Sequence, residues 1–150
     1  MNNFLRTLTF CVIALLSAVS VKAQGDVTAK WDFKNDLPAG IQETTNYQKT
    51  TVDIPSTVEG VSMHVDATNG KLYCIGRNNA QFNSGTILQV PVKSTRDIVV
   101  VENYPNYRGY TVGGVAATAD VNEHRATTDE VAKGYVEIKA TDSGYLYGVQ

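Results

Sequence analysis

The chain has 150 residues, of which 43% are hydrophobic and 19% are charged, and its formal net charge is −2. This length suits one domain that can bury a core of its own. The sequence has no cluster of Lys and Arg that would favour a nucleic acid or an anionic membrane surface as a partner.

Residues 1–23 have the pattern of a secretory signal peptide. A basic start at Arg6 precedes an apolar run over residues 8–19, and Val21-Lys22-Ala23 then places small residues at the exit. The run is too short to span a bilayer. We therefore predict export of the chain, with cleavage after residue 23 and no membrane insertion afterwards. Cleavage removes two of the 13 basic residues and no acidic one, which makes the net charge about −4.

The remaining chain, residues 24–150, contains a single cysteine. Cleavage removes Cys11 and leaves Cys74 without an internal disulfide partner. Cys74 alternates with Leu72 in a strand-like run, which predicts a buried apolar thiol. The chain ends at Gln150 in or just after a strand, and we expect it to be a fragment or a module that continues into a larger protein.

Short segments of alternating apolar and polar residues predict β structure throughout residues 24–150. The Asn69-Gly70 pair predicts a type I′ hairpin, and Gly113-Gly114 predicts another. Pro91 indicates an edge strand or a bulge, because it cannot donate a ladder hydrogen bond. The continuous apolar run over residues 98–101 predicts burial on both faces. Strands are predicted at residues 27–33, 61–65, 71–75, 86–92, 98–101, 110–112, 115–119, 135–140 and 145–149.

One short helical turn interrupts the strands. Thr127 and Glu130 have the spacing of a capping box, and Lys133-Gly134 is a typical helix end. Short strands with Gly, Pro, Asn and Asp turns are typical of two-sheet architectures. The predicted fold is therefore all-β, a jelly-roll-like β-sandwich with one short helical turn.

Motifs for catalysis or metal binding are absent from the sequence. Both histidines, His64 and His124, are predicted to be ordinary polar surface residues. Asp120-x-Asn122-x-His124 resembles the start of a calcium loop, but Arg125 and Val131 stand where an EF-hand needs Gly and Glu. No cofactor is predicted. A structural calcium ion held by loop oxygens stays an open alternative without assigned residues.

The first candidate binding cluster places a tyrosine at every third position around a Pro and a Gly. Tyr104, Tyr107 and Tyr110 offer flat apolar faces on which sugar rings can stack. Arg108 can bind hydroxyl or carboxylate groups beside them. The alternative is that Tyr104 and Tyr110 belong to the core of adjoining strands and that Tyr107 plugs a loop.

The second candidate cluster places amide side chains and an arginine around Phe82. Arg77, Asn79 and Gln81 can form paired hydrogen bonds with hydroxyl-rich or uronate ligands. The alternative is a turn whose amides bind their own backbone.

Most of the chain after residue 30 also resembles a known type of module, the N-terminal β-sandwich of secreted pectate-lyase and pectinesterase-type proteins of Gram-negative polysaccharide degraders. None of the matching stretches is a catalytic signature, and Asn79 stands where those modules carry an aspartate. The matching stretches are Trp31-Asp32-Phe33-x-Asn35-Asp36-Leu37-Pro38, Asp53-Ile54-Pro55-Ser56-Thr57-Val58-Glu59-Gly60, Val65-Asp66-Ala67-Thr68-Asn69-Gly70-Lys71-Leu72, Ala80-Gln81-Phe82-Asn83-x-Gly85-Thr86, Tyr104-Pro105-x-Tyr107, Tyr110-Thr111-Val112-Gly113-Gly114, Glu130-Val131-Ala132-Lys133-Gly134-Tyr135-Val136-Glu137-Ile138 and Tyr145-Leu146-Tyr147.

The resemblance implies a non-catalytic accessory module, bound to pectic or other plant cell-wall polysaccharide, that precedes a covalently linked catalytic domain. Its expected location is the periplasm, the cell surface or the medium of a Gram-negative bacterium. Arg77 or Arg108 would pair with uronate carboxylates. Two alternatives are a structural spacer domain without a ligand and a small secreted enzyme, the latter without support in the sequence.

Overall fold

The protein is represented by a computed structural model that describes residues 28–150. These residues form eleven strands, all paired antiparallel, and one short helix, which confirms the all-β prediction. The predicted signal peptide lies outside the described residues. The elements are β1 (Trp31–Asp32), β2 (Asn46–Gln48), β3 (Thr51–Pro55), β4 (Ser62–Asp66), β5 (Lys71–Ile75), β6 (Asn79–Phe82), β7 (Ile87–Pro91), β8 (Ile98–Val112), β9 (Val115–Ala116), β10 (Val121–Arg125), α1 (Thr128–Lys133) and β11 (Tyr135–Val149).

Two long strands, β8 and β11, form the centre of the sheet. They pair from Ile138 opposite Val112 to Val149 opposite Val101. The other edge of β11 is divided, because β7 pairs with its first half, β6 with its second half, and β1 with its end. We call β7, β4 and β3 the first branch, and β6, β5 and β2 the second branch. Strands β10 and β9 pair with β8 on its far edge.

Both branches bury side chains in one apolar core. Leu88 of the first branch and Leu72 of the second are both fully buried and belong to the same cluster. Trp31 links the end of β11 to the first branch, because β1 pairs with β11 while the indole Nε1 donates a hydrogen bond to the carbonyl of Ile54 in β3, at 2.7 Å. Each large side chain buried in this way stabilises the fold by roughly 1.5–3 kcal/mol.

The two long strands change register where the two branches meet. Ala140 lies opposite Tyr110 and Gly144 opposite Arg108, so that three residues of β11 face Gly109 alone. Such a bulge bends the strand. Both glycines are required by close contacts: a Cβ on Gly109 would press on the backbone of Ser143, and one on Gly144 would collide with the Phe82 ring.

The Asn69-Gly70 turn does not form the predicted hairpin. Strand β4 before it pairs with β3 and β7, whereas β5 after it pairs with β2 and β6, so the turn carries the chain from the first branch to the second. Neither residue has the positive φ of a type I′ turn. Gly70 is needed for space, because a Cβ there would collide with Thr86. The Gly113-Gly114 hairpin is confirmed, with φ of +55° and +81° between β8 and β9.

Two predictions about strand environment were wrong. Strand β7 is interior, between β4 and β11, although it contains Pro91. Pro91 is tolerated because β4 pairs only with the segment from Ile87 to Gln89, so no partner on that side needs its missing N–H. The run over residues 98–101 is buried on one face only: Val99 is buried, whereas Ile98 is 42% exposed.

The predicted capping box of α1 is confirmed. The Thr127 side chain accepts a hydrogen bond from the backbone N–H of Glu130, and the Glu130 carboxylate accepts one from the backbone N–H of Thr127. Gly134 ends the helix in the left-handed conformation. His124, predicted to be an ordinary surface residue, lies in β10 and is largely buried, with Nε2 2.9 Å from Oε2 of Glu130. Burial by itself raises the pKa of Glu130, but hydrogen bonds from Thr127 and His124 outweigh it and lower that pKa.

Substitution of Gly144 by Ala tests the contact at the bend. We expect a loss of about 1–3 kcal/mol in the free energy of unfolding, because the new methyl group would overlap the Phe82 ring, which is fully buried. Urea unfolding of the variant measures the loss. Thr141→Ala, an exposed change in the same bulge, is the control, and equal stability of the two variants would contradict the expected clash.

Substitution of Glu130 by Gln tests the charged part of the cap. Because folding lowers the pKa of Glu130 below its ordinary value of 4.5, its carboxylate stabilises the fold above that pH and loses this effect as the pH falls through the lowered value. The wild-type protein should therefore exceed Glu130→Gln by about 1 kcal/mol at pH 7. Urea unfolding at a series of pH values should show this difference shrinking below pH 4.5. A difference that stays constant down to pH 2 would disprove the assignment.

Candidate functional site

The segment over residues 104–107 protrudes from the central strand pair. Asn103 of β8 lies opposite Leu146 of β11, and the next paired residue of β8, Arg108, lies opposite Gly144. Four residues of β8 therefore face Tyr145 alone. Asn106 has a φ of +69°, a conformation that asparagine tolerates better than most residues. The excursion displays the two predicted rings, with Tyr104 38% and Tyr107 46% exposed.

Four tyrosines form one aromatic patch at this excursion. We call this patch the tyrosine surface. Its members, which make edge-to-face ring contacts, are Tyr104, Tyr107, Tyr145 and Tyr147. The ring centroids are 5.7 Å apart for Tyr104 and Tyr107, 5.6 Å for Tyr104 and Tyr147, and 4.4 Å for Tyr107 and Tyr145. Edge-to-face contacts of this kind are favourable for aromatic rings. The rings therefore hold one another in position while part of each stays exposed.

The sequence interpretation missed Tyr145 and Tyr147 as members of the site. A pattern in the local sequence could have identified them. The two tyrosines alternate around the buried Leu146 and therefore lie on the outer face of β11. A register shift between Leu146 and Gly148 places Val149 back in the core. What the alternation does not reveal is that residues 104–107 lie across the same face.

Tyr110 does not belong to the tyrosine surface, contrary to the prediction. It is 1% exposed, and its hydroxyl donates to Oδ1 of Asn103 at 2.7 Å and accepts from Nδ2 of Asn122 at 2.9 Å. Burial raises the pKa of Tyr110 to about 12. Nδ2 of Asn103 in turn donates to the carbonyl of Tyr104 at 2.8 Å. Tyr110 thus supports the excursion from below and offers no ring face to a ligand.

Asp120 holds the excursion at several points. Its carboxylate accepts hydrogen bonds from Nε and Nη2 of Arg108 at 3.1 and 2.6 Å, and from the backbone N–H of Asn106 at 3.4 Å. Its carbonyl accepts the backbone N–H of Asn103 at 2.9 Å. The hydrogen bond from Arg108 lowers the pKa of Asp120. Arg108, predicted to bind a ligand carboxylate, is therefore already paired within the protein.

The second predicted cluster is divided by the structure. Arg77 lies in the turn before β6, where its Nε donates to Glu43 at 3.0 Å. Asn79 is 4% exposed, and its Oδ1 is buried without a hydrogen-bond partner among the described residues. Only Gln81 joins the tyrosine surface, because it is partly exposed and lies directly opposite Tyr145. The alternative interpretation, a turn of amides, does not hold for Asn79 and Gln81, which lie in the interior strand β6.

The other candidate reactive groups have structural partners or are buried. Cys74 is buried as predicted, and burial raises the pKa of its thiol to about 11. Nδ1 of His64 lies 2.7 Å from Oδ1 of Asp53 on the neighbouring strand. In residues 28–150, no group of three or more His, Cys, Asp or Glu side chains is arranged to hold a metal ion, so the calcium alternative gains no assigned residues.

Comparison of the chain with family models, with curated proteins and with solved structures finds no match. The resemblance to modules of pectin-degrading proteins therefore stays a prediction. Within the described part of the chain, no helix has the length and apolar character needed to cross a membrane.

Removal of the Tyr110 hydroxyl tests the support under the excursion. In Tyr110→Phe, Asn103 and Asn122 each lose a hydrogen bond in a buried setting, and we expect a loss of about 1–2 kcal/mol in the free energy of unfolding. Chemical denaturation measures the loss. Tyr135→Phe is the matched control, because the Tyr135 hydroxyl has no hydrogen bond to the described residues. A Tyr110→Phe protein as stable as the control would show that the network does not stabilise the fold.

Proposed function

We propose that residues 24–150 form a non-catalytic module that binds carbohydrate. The observation that carries this proposal is the tyrosine surface, in which four partly exposed rings lie together on one face. Sugar rings stack their C–H groups on aromatic faces, and the tyrosine hydroxyls can bind sugar hydroxyls at the ring edge. Gln81 beside Tyr145 adds an amide that can both donate and accept hydrogen bonds.

The proposed ligand is pectic or another plant cell-wall polysaccharide. Nζ of Lys34 lies 4.0 Å from the centroid of the Tyr147 ring and supplies a positive charge at the edge of the tyrosine surface. A uronate carboxylate can approach this ammonium group. Arg77 and Arg108 are poorer partners than their sequence context predicts, because Glu43 and Asp120 already accept their hydrogen bonds.

The fold proposed for this module is a jelly-roll-like sandwich whose two layers contain the first and the second branch. The shared core and the hydrogen bond from Trp31 to Ile54 support this arrangement. Export through the predicted signal peptide would place the module where extracellular glycan is met. The sequence resemblance adds a linked pectate-lyase or pectinesterase-type domain as the partner that the module would deliver to its substrate.

A structural spacer domain is the second candidate function. Two observations favour it: the tyrosine rings contact one another, and both predicted arginines are engaged within the protein. In this case the tyrosine surface would pack against a neighbouring domain and would bind no glycan.

Affinity electrophoresis of the purified protein in gels that contain polygalacturonate or neutral glycans separates these candidates. We expect retardation by at least one glycan. Tyr107→Ala and Tyr145→Ala should each weaken binding about tenfold, because each removes a stacking face. Tyr135→Ala, at the far end of β11, is the control and should bind as the wild type does. Unchanged mobility of the wild-type protein in every glycan would reject carbohydrate binding and favour the spacer function.

A further inference from the structure

The outer face of the second branch continues the tyrosine surface. Tyr73 of β5, Gln81 of β6 and Tyr145 of β11 lie side by side in register on three adjacent strands. Their neighbours along each strand are buried in the core, so these three side chains face outward. Because adjacent strands are about 4.8 Å apart, Tyr73 and Tyr145 are separated by about 10 Å, with the amide of Gln81 between them. An extended chain of sugar rings can therefore cross both tyrosines.

This face has no acidic side chain. The four strand segments that form it contain neither Asp nor Glu, although acidic residues outnumber basic ones in the whole chain by 15 to 13. These segments are Asn46–Gln48, Lys71–Ile75, Asn79–Phe82 and residues 143–147. Lys71 is the charged residue of these four segments, and its Nζ lies 5.8 Å from the centroid of the Tyr73 ring. These four segments therefore carry a net charge of +1 on a protein whose formal net charge is −2.

Lys71 also lines an open depression of about 500 Å³ at the end of the second branch. Lys49, which follows β2, contributes a second ammonium group, and no lining residue is acidic. The Oδ1 atom of Asn83 is buried in this region without a hydrogen-bond partner among the described residues. The polar side chains that the depression offers to a ligand belong to Gln48, Lys49, Asn69, Lys71, Asn83 and Ser84.

The backbone beneath the depression is closely packed and hydrogen-bonded. Gly85 has a φ of +91°, and a Cβ on it would collide with the carbonyl of Asn69, so the two turns pack backbone against backbone. The carbonyl of Lys71 accepts hydrogen bonds from Oγ1 of Thr86 at 3.0 Å and from the backbone N–H of Asn83 at 3.2 Å. The backbone that carries Lys71 and Asn83 is therefore held in place before a ligand arrives, which lowers the entropic cost of binding.

We infer that this depression is a carboxylate-binding subsite for a polyuronate chain that continues across Tyr73 and Gln81 to Tyr145. Lys49 and Lys71 bind the carboxylate by charge-assisted hydrogen bonds, and the surrounding amides bind the ring hydroxyls. Charge complementarity selects this ligand, because two ammonium groups and no carboxylate line the depression. The inference rests on the proposed binding of a pectic polysaccharide and adds a second place on the protein, with named residues, where its carboxylates would bind.

The test compares glycans that differ in charge. The wild-type protein should be retarded by polygalacturonate at low salt and much less by fully methyl-esterified pectin, which lacks the free carboxylates. A double variant, Lys49→Gln with Lys71→Gln, should bind polygalacturonate about tenfold more weakly. Added salt should weaken the wild-type binding more than that of the variant. Lys93→Gln with Lys139→Gln, two exposed changes outside the depression, removes the same two charges and controls for net charge. Lys71→Arg should retain binding.

The outcomes separate the inference from the proposed function on which it rests. If the wild-type protein binds no glycan, both are rejected. If it binds polygalacturonate and Tyr145→Ala weakens that binding while the double lysine variant does not, the subsite is rejected and carbohydrate binding stands. Equal binding of the esterified and free polymers, or retardation by dextran sulfate alone, also rejects a carboxylate subsite. Circular dichroism of each variant confirms that the comparison is made on folded protein.

Discussion

The pairing of β8 with β11 is the constraint on which the rest of the structure depends. Each strand has 15 residues, and nearly every other strand pairs with one of the two or with a branch attached to β11. Strand β11 pairs with one strand from each branch, and the two long strands bend between these pairings. Gly109 and Gly144 provide the space for that bend. Phe82 packs on Gly144 from the second branch, so the bend and the core are stabilised by the same contact.

The tyrosine surface is a consequence of this pairing. The extra residues of β8 opposite Tyr145 have no ladder partners on β11, so their polar groups need other hydrogen-bond partners. Asp120 and Asn103 supply several of these, and Tyr110 and Asn122 complete the network below. A protruding segment that is held at both ends keeps its rings in place without a ligand, which is the physical basis for proposing a binding surface here.

The charged groups divide into those used by the fold and those left for a ligand. Arg108 and Arg77 are the cations that the local sequence singles out, and both form ion pairs within the protein. Lys34 and Lys71 instead lie near the rings of Tyr147 and Tyr73. A guanidinium group that is already paired with a carboxylate binds an anionic ligand more weakly than an ammonium group that forms no ion pair with the described residues. The ion pairs of the folded protein therefore change which cations we assign to ligand binding.

Local patterns in the sequence determined the β class of the fold, the buried thiol of Cys74, the Gly113-Gly114 hairpin and the capped turn at Thr127, because each depends on residues that are neighbours along the chain. The sequence also identified Tyr104 and Tyr107 as candidate binding residues, because the two lie close together along the chain. Only the tertiary structure decided that Asn69-Gly70 crosses between branches, that Tyr110 is buried and that Tyr145 joins the site. These outcomes depend on which strand edges pair, and strand pairing brings together residues that are far apart in sequence, such as Tyr73, Gln81 and Tyr145.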